Sequence, residues 1–271
     1  MGNILLSFDT EEFDVPREHG VEISLEEGMK VSVYGTRRIL DCLKNNGVKA
    51  TFFCTGNFAE NAPDVMKRII DEGHEVACHG VDHFRPKDTD VEKSKEIIEK
   101  VTGVKAHGYR QPRMFAVSND KIRETGMTYN SSLNPAFIPG RYVHLDMPRT
   151  CFMENGVLQI PASVTPTVRF PLFWLANHVL PPCLYHWMIR RTLKHDGYFA
   201  TYMHPWEFYR LKDHPEWKLQ AIIRMNSGDE LLRRLDCLIK ALKKTGAEFT
   251  TYATFAQRKI TELTTLDNKA K

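Results

Sequence analysis

The chain has 271 residues, 42% of them hydrophobic and 26% charged, which is enough for one substantial core. Its 37 basic and 34 acidic residues leave a formal charge of +3, too small a surplus to point to nucleic acid. Six cysteines, at positions 42, 54, 78, 151, 183 and 237, include no C-x-x-C pair, which speaks against a cysteine zinc site or a thioredoxin-type centre, and they are too sparse for a disulfide scaffold.

The expected elements alternate between strand and helix. An apolar run at 4–8 reads as a buried strand that ends in an acidic loop. Val33, Ile39, Leu40 and Leu43 repeat at helical spacing over 29–46, and Gly47 supplies the stop. The β-branched and aromatic stretch 48–54 is a strand. A helix over 62–72 opens at a proline and closes at Gly73, and a strand follows at 75–78. The spacing predicts a helix over 89–102 with Thr89 and Glu92 as a capping box. Strands at 107–109, 128–131 and within 156–161 flank a helix at 118–124. A strand at 198–203, an amphipathic helix at 229–244 and a last strand at 248–251 complete the series. Repeated strand–helix units imply an α/β fold, a parallel sheet covered by helices, and about seven such units favour a barrel over an open sheet.

Two segments fall outside this rhythm. The apolar insertion around 168–192 is rich in Phe, Trp, Leu and Met, with Pro181 and Pro182 inside and Arg190 and Arg191 near its end. Its histidines and prolines argue against a membrane span. A core helix pair broken at the prolines is the favoured expectation, and an apolar flap that touches lipid is the alternative. The polar tail 261–271 is expected to fray. The chain opens Met1-Gly2-Asn3 with no basic region or long apolar stretch, so no leader is expected and a cytoplasmic location, peripheral to a membrane at most, is anticipated.

Four motifs carry chemistry, each after a predicted strand, where barrel enzymes place their reactive groups. The acidic run holds Asp9, Glu11, Glu12 and Asp14. Alternation along a strand points Asp9 and Glu11 the same way, and a cation relieves their repulsion. A solvated acidic turn is the plainer alternative. His79 and His83 lie four apart, so one helical turn lets both imidazoles reach one ion. Asp82 either orients a ligand histidine or caps the turn. In the segment Tyr109-Arg110-Gln111-Pro112, an arginine fixed beside a proline can hold a carboxylate. In the segment His204-Pro205-Trp206-Glu207, a histidine locked by the next proline suits a general acid, with Glu207 to raise its pKa. A surface turn and a backbone-bonded histidine are the plainer alternatives for the last two.

These four motifs, in this order, resemble the polysaccharide deacetylase family, also described by its NodB homology domain and as carbohydrate esterase family 4. The resemblance spans roughly residues 3 to 255. It implies a single-domain, distorted (β/α) barrel of seven strands. It implies Asp9 as catalytic base, Arg110 as the residue that holds it, and His204 as general acid. It implies His79 and His83 as ligands of one divalent ion, Zn²⁺ first, with Co, Ni, Fe or Mn as alternatives. Residues 159–163 look like a further family strand lining the site, which brings Pro161 towards substrate beside the aromatic platforms Tyr109 and Trp206. The chain departs from the common pattern of adjacent aspartates, because Thr10 follows Asp9. The D-x-D variant, as in the branch that deformylates lipid-linked aminoarabinose, puts Glu11 at the ligand position, with Glu12 as the alternative. The segment at 204–208 is similar to deacetylases associated with exopolysaccharide clusters.

The resemblance thus implies removal of an N-acetyl or N-formyl group from an amino sugar, lipid-linked or part of a surface polysaccharide. The partners it leaves open are a lipid carrier or membrane surface. Two other functions fit the same residues: a non-sugar C–N hydrolase of the allantoin type, and a degenerate barrel that binds carbohydrate without turnover.

Overall fold

Alternation along the first strand sets the architecture. In β1 (Asn3–Thr10), Ile4, Leu6 and Phe8 join a large cluster that packs with helix residues such as Ile39 and Leu43. Leu5 faces the other way and meets Phe53, Ala77, Tyr129 and Ala200 inside the curled sheet. Asp9 and Glu11 continue this inward series beyond the apolar part of the strand.

The computed structural model describes residues 2–87, 89–138 and 142–270, and the backbone alone for 142, 143 and 266–270. The other strands are β2 (Thr51–Cys54), β3 (Glu75–Cys78), β4 (Gly108–Tyr109), β5 (Tyr129–Asn130), β6 (Phe137–Ile138), β7 (Tyr142–Val143), β8 (Phe152–Glu154), β9 (Val157–Gln159), β10 (Tyr198–Met203) and β11 (Glu248–Phe249). The main sheet runs β10-β1-β2-β3-β4-β5-β9-β8. From β10 to β9 every pairing is parallel, and only β8 is antiparallel. β11 pairs with the first residues of β1, below β2. Between β9 and β10 no strand pairing closes the sheet. There Ser163 donates its backbone N–H to the Ala200 carbonyl at 2.9 Å, and Ala200 N–H donates to Ser163 Oγ at 2.9 Å. The result is the expected distorted (β/α) barrel, seven parallel strands curled into an incompletely closed wall.

Helix ends follow their capping residues. The helix Leu25–Asn46 starts at Ser24, whose hydroxyl accepts from Glu27 N–H, and stops at Gly47 in the left-handed region. Thr89 makes no cap bond, so the expected capping box is absent; Asp90 instead accepts from the Lys87 N–H. A short helix at Gly56–Asn61, capped by Thr55, was not anticipated. The polar stretch expected to fray continues the helix Tyr252–Ala270.

The apolar insertion forms two helices, Trp174–Val179 and Pro182–Asp196, split at the proline pair. Their inner faces bury Trp174, His178, Tyr185 and Ile189, while Leu184 and Trp187 stay exposed at 42% and 54%. Among the described residues no helix is long and apolar enough to cross a membrane. All six cysteines are free.

Candidate active site

The reactive groups gather at the C-terminal ends of β1, β3, β4 and β10, around a cavity of about 590 Å³ that reaches Asp9, Glu11, His79, His83 and His204. A cleft of similar size at the other end of the sheet, lined by Gly2, Arg190, Lys194 and Lys244, holds no carboxylate or imidazole.

His79 follows β3 directly, and His83 sits in the loop beyond it. The two do not share the helical turn expected from their spacing, because Gly80 has φ +71 between them. The loop is pinned instead by Gly56 N–H to the Gly80 carbonyl and Asn57 N–H to the Val81 carbonyl. The rings still stack, with centroids 5.8 Å apart. His79 Nδ1 lies 2.8 Å from the Arg110 carbonyl. A carbonyl only accepts, so Nδ1 carries the proton and Nε2 presents a lone pair. His83 Nδ1 lies 2.8 Å from Asp14 Oδ2. Asp82, expected either to orient a ligand histidine or to cap the turn, does the latter: it accepts from the backbone N–H groups of Phe84 and Arg85. Asp14 was visible in the acidic run, but the turn after β1 that brings it to His83 was not.

Glu11 completes the cluster. Its Oε2 is 3.3 Å from His79 Nε2 and 3.2 Å from His83 Nε2. Oε2 is buried with no hydrogen-bond donor, while Oε1 accepts from Trp206 Nε1–H at 3.1 Å. Three electron-rich atoms therefore face one another, which requires a cation or an extra proton between them. Ligand bonds of about 2.0–2.1 Å in a tetrahedral shell separate neighbouring ligand atoms by about 3.3 Å, so the three residues fit one divalent ion. Without an ion, protons answer the same need. Burial opposes charge on both partners, but Glu11 and Asp14 raise His83 to about 9. His83, His79 and His204 in turn hold Glu11 down at about 2.

Glu12, the alternative ligand, points elsewhere. It accepts from Thr55 Oγ1 at 2.8 Å, Asn57 Nδ2 at 3.0 Å and His83 N–H at 3.1 Å. Burial pushes its carboxyl above the ordinary value. It ties the start of the helix at 56–61 to the loop that carries His83.

Asp9 forms an ion pair with Arg110, and both are buried. Arg110 also donates to Ser7 Oγ at 3.0 Å, Ser131 Oγ at 3.0 Å and Tyr252 Oη at 3.2 Å, and its guanidinium lies 3.9 Å from the Phe53 ring centroid. Burial works against its charge, but Asp9 more than restores it, so its pKa is raised. Tyr109, the neighbouring residue on the strand, points the opposite way into the layer under the helices. It is fully buried there and donates to Gln111, so it is not the substrate platform expected. Pro161 is buried and does not line the cavity.

His204 directly follows β10 and borders the cavity. Its Nδ1 is 2.7 Å from Glu207 Oε1, which also accepts the His204 backbone N–H at 2.6 Å. Burial opposes protonation of His204, but the bond from Glu207 and the charges of Glu11, Glu207 and Asp9 raise its pKa above the ordinary value. The turn Pro205–Phe208 packs so closely on the helix Leu25–Asn46 that a Cβ at Gly35 would lie 1.8 Å from the Pro205 carbonyl oxygen. Trp206 stacks on His204 with centroids 4.9 Å apart and is 3% exposed. It borders the cavity but serves Glu11 as a donor more than it offers an open sugar platform. Glu207 is fully buried, and its second oxygen meets His178 Nε2 at 2.7 Å. Burial alone would raise Glu207, yet His178 and His204 hold its carboxyl below the usual range. His178 was not singled out from the sequence, where only its place inside an apolar run marked it.

The curled parallel barrel thus carries a Glu–His–His cluster between two buried ion-paired groups. The family model for polysaccharide deacetylase matches residues 15–130. A peptidoglycan deacetylase of Helicobacter pylori is 32% identical over 118 residues, 40% of this chain and 40% of that protein. The chain therefore spans about two fifths of that relative's length. A chitooligosaccharide deacetylase of Bradyrhizobium is 25% identical over 87% of this chain and 90% of its own. A carbohydrate esterase family 4 pseudoenzyme from Bacillus anthracis superposes with TM-score 0.52 at 15% identity, covering 94% of this chain and 65% of its own. An allantoinase superposes with TM-score 0.60 at 15% identity, covering 94% and 89%. The chain thus resembles polysaccharide deacetylases in sequence over residues 15–130 and shares the fold of carbohydrate esterase family 4 structures.

Proposed function

We propose that this protein is a metal-dependent hydrolase that removes an N-acyl group, acetyl in the first instance, from an amino sugar. The observation that carries this reading is the bare Oε2 of Glu11 between two imidazole lone pairs, with Asp9–Arg110 and His204–Glu207 also on the cavity. The deacetylases of peptidoglycan and chitooligosaccharides among its relatives support the same chemistry.

Glu11, His79 and His83 would hold the ion. When bound, a divalent ion supplies Lewis acidity towards the acyl carbonyl and lowers the pKa of water. The remaining work falls to the chain. Asp9, kept in place by Arg110, accepts the proton of the attacking water. His204, whose Nδ1 is committed to Glu207, presents Nε2 to the departing amine and gives it a proton. Trp174 and Trp206 pack around His204 and exclude water from that transfer. Asp9→Asn should lower turnover of an N-acetylated chitooligosaccharide by about 10²–10⁴-fold without loss of metal. Turnover retained in that variant would count against the scheme.

The cavity mouth supports a finer statement about substrate. Met114, Phe115, Leu175, Ile222 and Ile223 border it, with Phe115 54% and Ile222 38% exposed. An amino sugar with an apolar portion, such as a lipid-linked one, would cover that rim. A lipid-linked N-acetyl amino sugar should then show a lower KM than its water-soluble head. Equal KM values would remove this preference.

A further inference from the structure

His178 lies outside every motif tied to the reaction, yet it is fully buried and both of its ring nitrogens are engaged. Nδ1 is 2.7 Å from the Met225 carbonyl and must donate to it, since a carbonyl brings no proton. Nε2 is 2.7 Å from Glu207 Oε2. The other Glu207 oxygen takes the backbone N–H and Nδ1–H of His204. One carboxylate is therefore shared by two imidazoles, and the second imidazole is anchored to a loop. Asn226, next in that loop, donates Nδ2–H to the His178 carbonyl at 2.6 Å. The same segment supplies Gln220, Ile222 and Ile223 to the cavity wall. Trp174 sets its ring edge-on to both histidines, with centroids 5.5 Å from His178 and 5.6 Å from His204.

We propose that His178 is a positioning residue: it fixes the far oxygen of Glu207, so that Glu207 holds the His204 ring aimed at the leaving amine, and it ties that aim to the cavity wall at 220–226. A carboxylate bonded through one oxygen alone pivots about its Cγ–Cδ bond. Donors on both oxygens stop that rotation, and a ring oriented by the carboxylate keeps a single direction. This inference rests on His204 acting as general acid.

The test exploits the leaving group. An amide must be protonated as it departs, whereas 4-nitrophenolate leaves without a proton. Turnover of an N-acetylated chitooligosaccharide and of 4-nitrophenyl acetate is compared in the metal-loaded protein. His204→Ala should depress the amide-to-ester ratio by about 10²-fold or more. His178→Leu should depress it by about tenfold, and His178→Gln, which keeps a donor for Glu207, by less. Should the leucine variant fail to fold, Asn226→Gly provides the second route. That residue has φ +58, which glycine accepts, and the change removes only the bond onto His178. It should lower the ratio a few-fold. An unchanged ratio in folded His178→Leu, or in Asn226→Gly where the leucine variant does not fold, overturns the proposal while leaving His204 as the acid. An unchanged ratio in His204→Ala overturns both.

Discussion

Trp206 donates its indole N–H to one oxygen of Glu11 at 3.1 Å and so leaves the other oxygen facing His79 and His83. The tryptophan comes from the same turn as His204, so one tight segment orients both the His204 ring and the Glu11 carboxylate. Trp206→Phe keeps an aromatic ring beside His204 but deletes the donor and part of the buried volume, so some stability is lost as well. Metal affinity of the folded protein should fall by about 10–100-fold. Isothermal titration with Zn²⁺ measures this, and unchanged affinity would separate Trp206 from the metal site.

The two adjacent glutamates should behave oppositely. Glu11→Gln removes the charge that faces the imidazoles and should abolish stoichiometric metal binding. Glu12→Gln leaves the three ligands in place but disturbs the contacts to Thr55, Asn57 and His83. It should retain bound metal and lose stability. Metal content after gel filtration, with a denaturation curve for each variant, distinguishes the two. Metal lost from Glu12→Gln but kept by Glu11→Gln would reverse the assignment.

Arg110 is buried with Asp9 as its one carboxylate partner among the described residues. Removing one member of a buried pair costs more than the pair contributes, because the other charge is stranded. Arg110→Met should destabilise the fold by about 3–5 kcal/mol. Asp9→Asn should cost less, because Ser7, Ser131 and Tyr252 still receive the guanidinium. Urea denaturation of both variants gives the comparison.

His74 provides a pH signature away from the reaction. Its Nδ1 accepts the Ala50 N–H at 3.2 Å, and burial first, then the neighbouring Lys49, pushes its pKa from 6.5 to about 4. The folded state therefore resists protonation that the unfolded chain accepts. The associated stability is fully present above pH 6.5 and is lost as pH falls towards 4, up to about 3 kcal/mol at 1.36 kcal/mol per pH unit. Denaturation midpoints between pH 7 and pH 4 should fall with a slope that His74→Asn reduces. An equal slope in that variant would locate the acid sensitivity elsewhere.

Much of this architecture was legible because apolar periodicity marks elements that pack. The helix ending at Gly47, strands β3 and β10, and the break at Pro181 and Pro182 follow from local rules alone. The inward direction of Asp9 and Glu11 follows from the two-residue period of β1. The same period, applied to Tyr109 beside Arg110, would have excluded the tyrosine from the cavity. Other parts needed tertiary geometry. The choice of Asp14 over Asp82 beside His83 depends on a turn that crosses from β1 to the β3 loop. The pairing of His178 with Glu207 joins residues 29 positions apart and depends on how the insertion folds back onto β10. The Glu11–His79–His83 cluster lay between these extremes, since its histidines were visible by spacing although the loop that presents them is not a helix.

In the proposed function, Glu11, His79 and His83 hold one divalent ion on which amide hydrolysis depends. The direct measurement is acetate release from an N-acetylated chitooligosaccharide by chelator-treated protein titrated with Zn²⁺. Release should be negligible without metal, rise linearly to about one equivalent and then plateau, with no rise in Glu11→Gln or His79→Ala. Full acetate release by the metal-free protein, or a metal-dependent rise that survives both substitutions, would contradict it.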